Sequence, residues 1–203
     1  MLLMPFDLET GGIDPKNNSI LTAYFCITDS NLNKIDELEL AMMPDDGNIN
    51  YTQEALDVNG IDIEEHRKIA ITYSEAIVKI SDFLKKHSPK QRGIRPAGHN
   101  IAFDIGFLKE QLGINDIWES KCHYRVLDTT PVLTFLQDVE VLPSKLGSLE
   151  SLVTHFGITK LKAHTAKDDV LMWVDVYKSL KNTIKDALLS GDGGGDELSV
   201  LEI

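Results

Sequence analysis

Met1-Leu2-Leu3-Met4-Pro5-Phe6-Asp7-Leu8-Glu9-Thr10-Gly11-Gly12 opens the chain as an apolar strand that carries two carboxylates into a glycine turn. Successive strand side chains alternate faces, so Asp7 and Glu9 project together while Phe6 and Leu8 point the other way. Acids sharing a sheet face repel each other, and a divalent cation held between them removes that cost. Glycines at the turn would let a ligand approach the backbone. The competing reading is a solvated strand face with ordinary acids, since Asp-x-Glu is a common spacing. Asp14, before Pro15, reads as a loop residue.

Working outward, Ser19 to Thr28 and Ile35 to Met43 are again strand-like, with Asp29-Ser30-Asn31 as a turn signal, which gives a three-strand meander. Helical patterns follow at Gln53 to Val58 and Ser74 to Lys86, where Ile77, Ile80, Phe83 and Leu84 recur at helical spacing. Gly93 to Gly98 and Cys122 to Leu127 read as strands. Ile101 to Leu112, Thr130 to Gln137, Ser148 to Phe156 and Ala166 to Lys181 read as helices. The expected fold is α/β: a mixed sheet, antiparallel meander plus parallel strands, flanked by helices. Residues 1–185 form the expected domain. Residues 186–203 form a Gly/Asp-rich tail of flexible-linker composition that ends in the apolar group Leu198 to Ile203.

A chain of 203 residues with 42% hydrophobic and 26% charged content is an ordinary globular composition. Its apolar runs are strand-length, so no membrane span is expected. The N-terminus lacks the basic region of a signal peptide. Cys26 and Cys122 lack Cys-x-x-Cys spacing and read as reduced core thiols of an intracellular, cytoplasmic protein. A net charge of −12 argues against a long basic groove for nucleic acid, because phosphate binding depends on Lys and Arg releasing counterions. Bound cations would reverse the charge locally, so binding focused on a strand end is expected.

Further acids lie at two more addresses. Asn100 reads as an N-cap that places Asp104 in the first turn, beside the ridge Ile101, Ile105 and Leu108. A helix start favours an anion, so stability alone could explain Asp104. His99 reads as a hydrogen-bonded structural residue, and Phe103 as core or as a wedge against a base. Thr165-Ala166-Lys167-Asp168 matches a capping box, which accounts for Asp168 and frees Asp169 to face inward. Inside one helix, His164 and Asp169 would lie roughly 140° apart. They converge only if His164 sits on the flanking loop, where it would serve as base and gate.

Taken together, Asp7-Leu8-Glu9-Thr10, then Gly98-His99-Asn100-Ile101-Ala102-Phe103-Asp104, then Asp128-Thr129, then His164-Thr165-Ala166-Lys167-Asp168-Asp169 closely resemble the motif set of the DEDDh (DnaQ-like) 3′–5′ exonucleases. That family has an RNase H-like fold and includes polymerase III epsilon subunits. The resemblance covers about residues 1–182. The histidine before the last aspartate fits the His subclass, since the Tyr subclass would need Tyr where Thr165 stands. It implies that Asp7, Glu9, Asp104 and Asp169 hold two divalent cations, Mg²⁺ or Mn²⁺, with His164 as general base. Thr10 and Asn100 match positions near the terminal nucleotide, and Phe103 a position that stacks there.

The implied reaction is two-metal hydrolysis of a 3′-terminal phosphodiester, releasing nucleoside 5′-monophosphates. Motif spacing leans to DNA, single-stranded or frayed at its 3′ end, in replication proofreading or repair. An RNA exonuclease, an RNase H-like endonuclease and a docking module that kept the fold with little catalysis are the alternatives. Glu197 to Leu201 would be a tethered peptide for a replication partner. Two departures from the family pattern stand out: Gly11 where relatives often have Thr, and Pro5 within the first strand.

Overall fold

β1 (Leu2–Thr10) is central because both of its edges are paired: antiparallel with β2 (Ile20–Thr28) and parallel with β5 (Ile94–Gly98). The computed structural model describes residues 2–88, 90, 93–161 and 165–190. β3 (Lys34–Met43) extends the meander, and the short β4 (Ile71–Thr72) and β6 (Leu127–Asp128) form the edges. The six strands run in the order β4-β3-β2-β1-β5-β6. This is the expected mixed sheet, flanked by helices.

Alternation along β1 decides which layer each side chain joins. Met4, Phe6 and Leu8 enter the main core with Phe25, and there meet α3 (Tyr73–His87), α4 (Ile101–Leu112) and α5 (Asn115–Lys121). Phe6 stacks on Phe25 at 5.3 Å and meets Trp118 edge-on at 5.5 Å. Truncating a buried aromatic of this kind costs about 3–5 kcal/mol. The opposite face lies under α8 (Ala166–Ser190): Ala166 and Val170 pack on Tyr24 and Cys26, and Trp173 and Val174 on Ala97 and Leu32. Beyond α8, Leu133 and Leu136 of α6 (Thr129–Asp138) and Leu152 and Val153 of α7 (Leu149–His155) cover Met172 and Val176.

Several expectations are corrected. Pro5 does not interrupt β1. Leu3 lies opposite Thr28 and Phe6 opposite Phe25 in one register, and Pro5 itself aligns with Ala97. The strand expected at Cys122 to Leu127 shrinks to β6 plus a lone bridge between Cys122 and Ile94. Pro96, which has no N–H to donate, lies between the two contacts, and the longer segment bulges out with Tyr124 exposed. The helix α1 (Gln53–Asn59) falls where its pattern predicts, but the short helix α2 (Ile63–Ile69), α5 and β4 carry too little periodicity to stand out in the sequence. α8 runs on to Ser190, past Lys181 and into the stretch assigned to the tail. Residues 191–203, with the docking peptide expected there, lie outside the described residues. Cys26 and Cys122 are buried free thiols, and no helix among the described residues is long and apolar enough to cross a membrane.

Candidate active site

β1 delivers Asp7 and Glu9 to the α8 face of the sheet, where they stand opposite Tyr24 and Thr22 of β2. The β1–β2 register shifts between Glu9 and Thr10, a bulge at the end of the acidic stretch. α8 begins over this spot. Thr165 starts it as anticipated: its Oγ1 accepts from the Asp168 N–H at 3.2 Å, and its carbonyl from the Asp169 N–H at 3.0 Å. Ala166 and Val170 are held on Tyr24 and Cys26, and Asp169 thereby turns toward β1. Carboxylate oxygens of Asp7, Glu9 and Asp169 all lie within 4.8 Å of one another.

Asp104 joins from below, in the first turn of α4. It is only 4% exposed, and its Oδ1 accepts the Leu8 N–H at 3.1 Å, which pins α4 to the backbone between the two β1 acids. Asn100 does not cap α4 with its side chain. It sits in the left-handed region at φ 59°, and its N–H donates to Asp128 Oδ1 at 2.9 Å and to Thr130 Oγ1 at 3.1 Å. Asp128 and Thr130, at the junction of β6 and α6, thus fix the start of α4. Thr129 Oγ1 meets His99 Nδ1 at 2.9 Å and accepts from Trp173 Nε1 at 3.3 Å, so His99 is structural, as expected.

The electrostatics are those of a site built for cations. Burial first, then Asp104, Glu9 and Asp169, push the Asp7 carboxyl well above its ordinary value. Burial, then Asp169 and Asp104, raise Glu9 to about 8. Burial also raises Asp104 to about 7, against the opposing Leu8 hydrogen bond. Glu9 Oε1 is buried with no hydrogen-bond partner among the described residues. Left without a cation, such a cluster is costly.

Beside Glu9 opens a largely apolar cleft of about 490 Å³, lined by Leu8, Thr10, Ile13, Val58 and Phe103 among others. Phe103 is half-buried, 4.9 Å from Phe107, and shows its outer side to this cleft. The Thr10 hydroxyl donates to Gly12 O at 2.6 Å, so it braces the turn as well as lining the cleft. Gly11 is not left open for a ligand: a Cβ there would stand 2.3 Å from Asn50 O, so the chain's own backbone occupies that side. This explains the departure from Thr. Asp14, as expected, organises its loop, accepting from Lys16 N–H and Asn17 Nδ2. Asn100 is exposed, and His164 lies outside the described residues.

One side chain that no sequence pattern marks, Lys167, ties α8 to the meander. Lys167 Nζ lies 2.9 Å from Glu39 Oε2 and 5.4 Å from the ring centroid of Tyr24, so it straps the first turn of α8 across β2 to β3. Only the antiparallel register that sets Tyr24 opposite Asp7 would have signalled it.

The RNase_T family model, described as Exonuclease, matches residues 5–177. An oligoribonuclease of Vibrio parahaemolyticus (serotype O3:K6) is 29% identical over 191 residues, covering 88% of this chain and 92% of the relative. An oligoribonuclease of Haemophilus influenzae (strain PittGG) is 34% identical over 135 residues, covering 63% of this chain and 70% of the relative. The crystal structure of E. coli exonuclease I with a dT13 oligonucleotide superposes with a TM-score of 0.75 at 18% identity, over 93% of this chain. The chain spans 43% of that protein, whose likeness establishes the RNase H-like exonuclease fold. The lean of the motif spacing toward DNA-acting relatives is thus not matched by the curated relatives, which are oligoribonucleases.

Proposed function

The chain belongs to the DEDDh exonuclease family, and from that premise we propose that it degrades short RNA from the 3′ end, releasing nucleoside 5′-monophosphates with two divalent cations. The observation that carries this reading is the meeting of Asp7, Glu9 and Asp169 within 4.8 Å, with Glu9 also lining an apolar cleft.

These hard oxygen donors, with the orphaned Glu9 Oε1 among them, fit Mg²⁺ or Mn²⁺ better than a softer ion. Asp7, Glu9 and Asp169 would hold the cations, with Asp104 supporting from α4. When bound, they acidify a water and offset charge on the scissile phosphate. The chain's own residues do the rest. The cleft takes the terminal nucleoside against Phe103, near Thr10 and Asn100. His164, one residue ahead of Thr165, takes the proton of the attacking water, a task suited to an imidazole near neutral pH.

RNA is favoured because the curated relatives are oligoribonucleases. Short RNA is favoured because a chain of net charge −12 has little electrostatic hold on a long backbone. The test is stepwise 3′ shortening of matched 5′-labelled RNA and DNA, from two to about twenty nucleotides, with Mn²⁺, and chromatographic identification of the released nucleoside 5′-monophosphates. The expected result is RNA cut faster than DNA and short oligomers preferred. DNA cut as fast as RNA would remove the substrate assignment, and an inert protein on both would remove the activity.

A further inference from the structure

At the far end of α8 from the carboxylates, Leu3, Ser30, Arg95, Leu127, Tyr177 and Lys181 line a separate cleft of about 270 Å³. Leu3 and Arg95 are register partners on β1 and β5, on the same sheet face as Asp7. Four strand residues from Leu3 to Asp7 put the two sites roughly 13 Å apart. Tyr177 and Lys181, spaced i,i+4, look into the cleft from α8.

Two basic side chains line this cleft. In a chain with 32 acids and 20 basic residues, Arg95 and Lys181 have no ion pair among the described residues. Arg95 Nε is buried without a hydrogen-bond partner among them. Desolvating part of a guanidinium this way is costly unless an anion answers it. Tyr177 is fixed from behind by Trp173, with rings 5.2 Å apart and 7° from parallel. Lys181 Nζ stands 5.9 Å from the Tyr177 ring centroid, and Lys181, Tyr177 and Arg95 line the cleft together. Ser30 adds a hydroxyl at the rim. Leu3 and Leu127 supply apolar walls.

We propose that this cleft binds a phosphate monoester, with a nucleoside 5′-monophosphate as the occupant it fits. A guanidinium fork, an ammonium and two hydroxyls match the oxygens of a phosphate, and the leucine walls suit a ribose or base. The site is apart from the carboxylate cluster and stands whether or not the cluster acts on RNA.

Titration calorimetry of the whole chain in EDTA, with AMP, inorganic phosphate and adenosine, tests it. AMP and phosphate are expected to bind and adenosine not to. Tighter binding of AMP than phosphate would identify the nucleotide as the ligand, and equal binding the bare phosphate. Arg95→Gln and Lys181→Gln should each weaken AMP by about tenfold while leaving RNA cleavage intact. Lys181 is on a helix surface, so its variant keeps the fold if Arg95→Gln does not. Adenosine binding as tightly as AMP, no binding of either phosphate ligand, or AMP affinity unmoved by Lys181→Gln would overturn the proposal.

Discussion

Asp36 on β3 and Glu9 on β1 are both strand carboxylates, and the fold treats them in opposite ways. Asp36 Oδ2 meets Lys86 Nζ and His87 Nε2 of α3, each at 2.7 Å, and these hydrogen bonds lower its carboxyl to about 2. Glu9 is half-buried among other acids, has a buried oxygen without a partner among the described residues, and is raised to about 8. Where the fold wants a structural charge, it supplies donors from the next element. Where it gathers acids around Glu9, Oε1 meets no donor among the described residues.

The largest effect should come from breaking the carboxylate cluster. Asp7→Asn or Asp169→Asn should abolish mononucleotide release in Mn²⁺ while leaving circular dichroism unchanged. If either variant cut at the parental rate, the cluster would not be the site of chemistry. His164→Ala should follow, slowing release by roughly 10²–10⁴-fold, read as kcat at saturating substrate.

The contrast also fixes the sign of a pH effect. Glu9 keeps its proton in the folded chain up to about 8, whereas an ordinary glutamate releases it near 4.5. The folded state therefore binds more protons across that window, and its stability falls as pH rises through it. Melting temperatures in EDTA should drop from about pH 5 to about pH 8. Added Mn²⁺ should raise them more at the alkaline end. A rise with pH in EDTA would mean the acids are satisfied within the chain.

Smaller effects test the scaffolding. Lys167→Met should lower kcat several-fold with KM little changed, since the strap positions Asp169 and touches no substrate. Lys167→Arg should restore most of the loss. Equal losses in both would reduce Lys167 to a surface ion pair. Asp36→Asn should cost less than about 1 kcal/mol, in keeping with an exposed ion pair, and leave cleavage untouched. Because the Asp36 carboxyl is lowered, that contribution is present above the usual aspartate range and is lost as pH falls through about 2.

Some of this was legible in the residues alone. Alternation along Leu2–Thr10 separated the acids from Phe6 and Leu8, and Thr165 marked the start of α8 as its spacing suggested. The strand that apolar content suggests at Cys122 to Leu127 is cut short, because that content cannot reveal that Pro96 breaks the partner's ladder. Asn100 stands at the N-cap as its pattern suggests, but without a side-chain cap bond, because its N–H is tied to Asp128, far along the chain.

The sequence by itself determined the alternating faces of β1, the start of α8 and the family motifs, since each is written in neighbouring residues through strand and helix periods. Only the tertiary structure decided that Asp104 props the β1 backbone, that Lys167 straps α8, and that Arg95 meets Lys181 at the far cleft. Those relations join segments distant in sequence. They depend on strand register and helix packing, which no local pattern encodes.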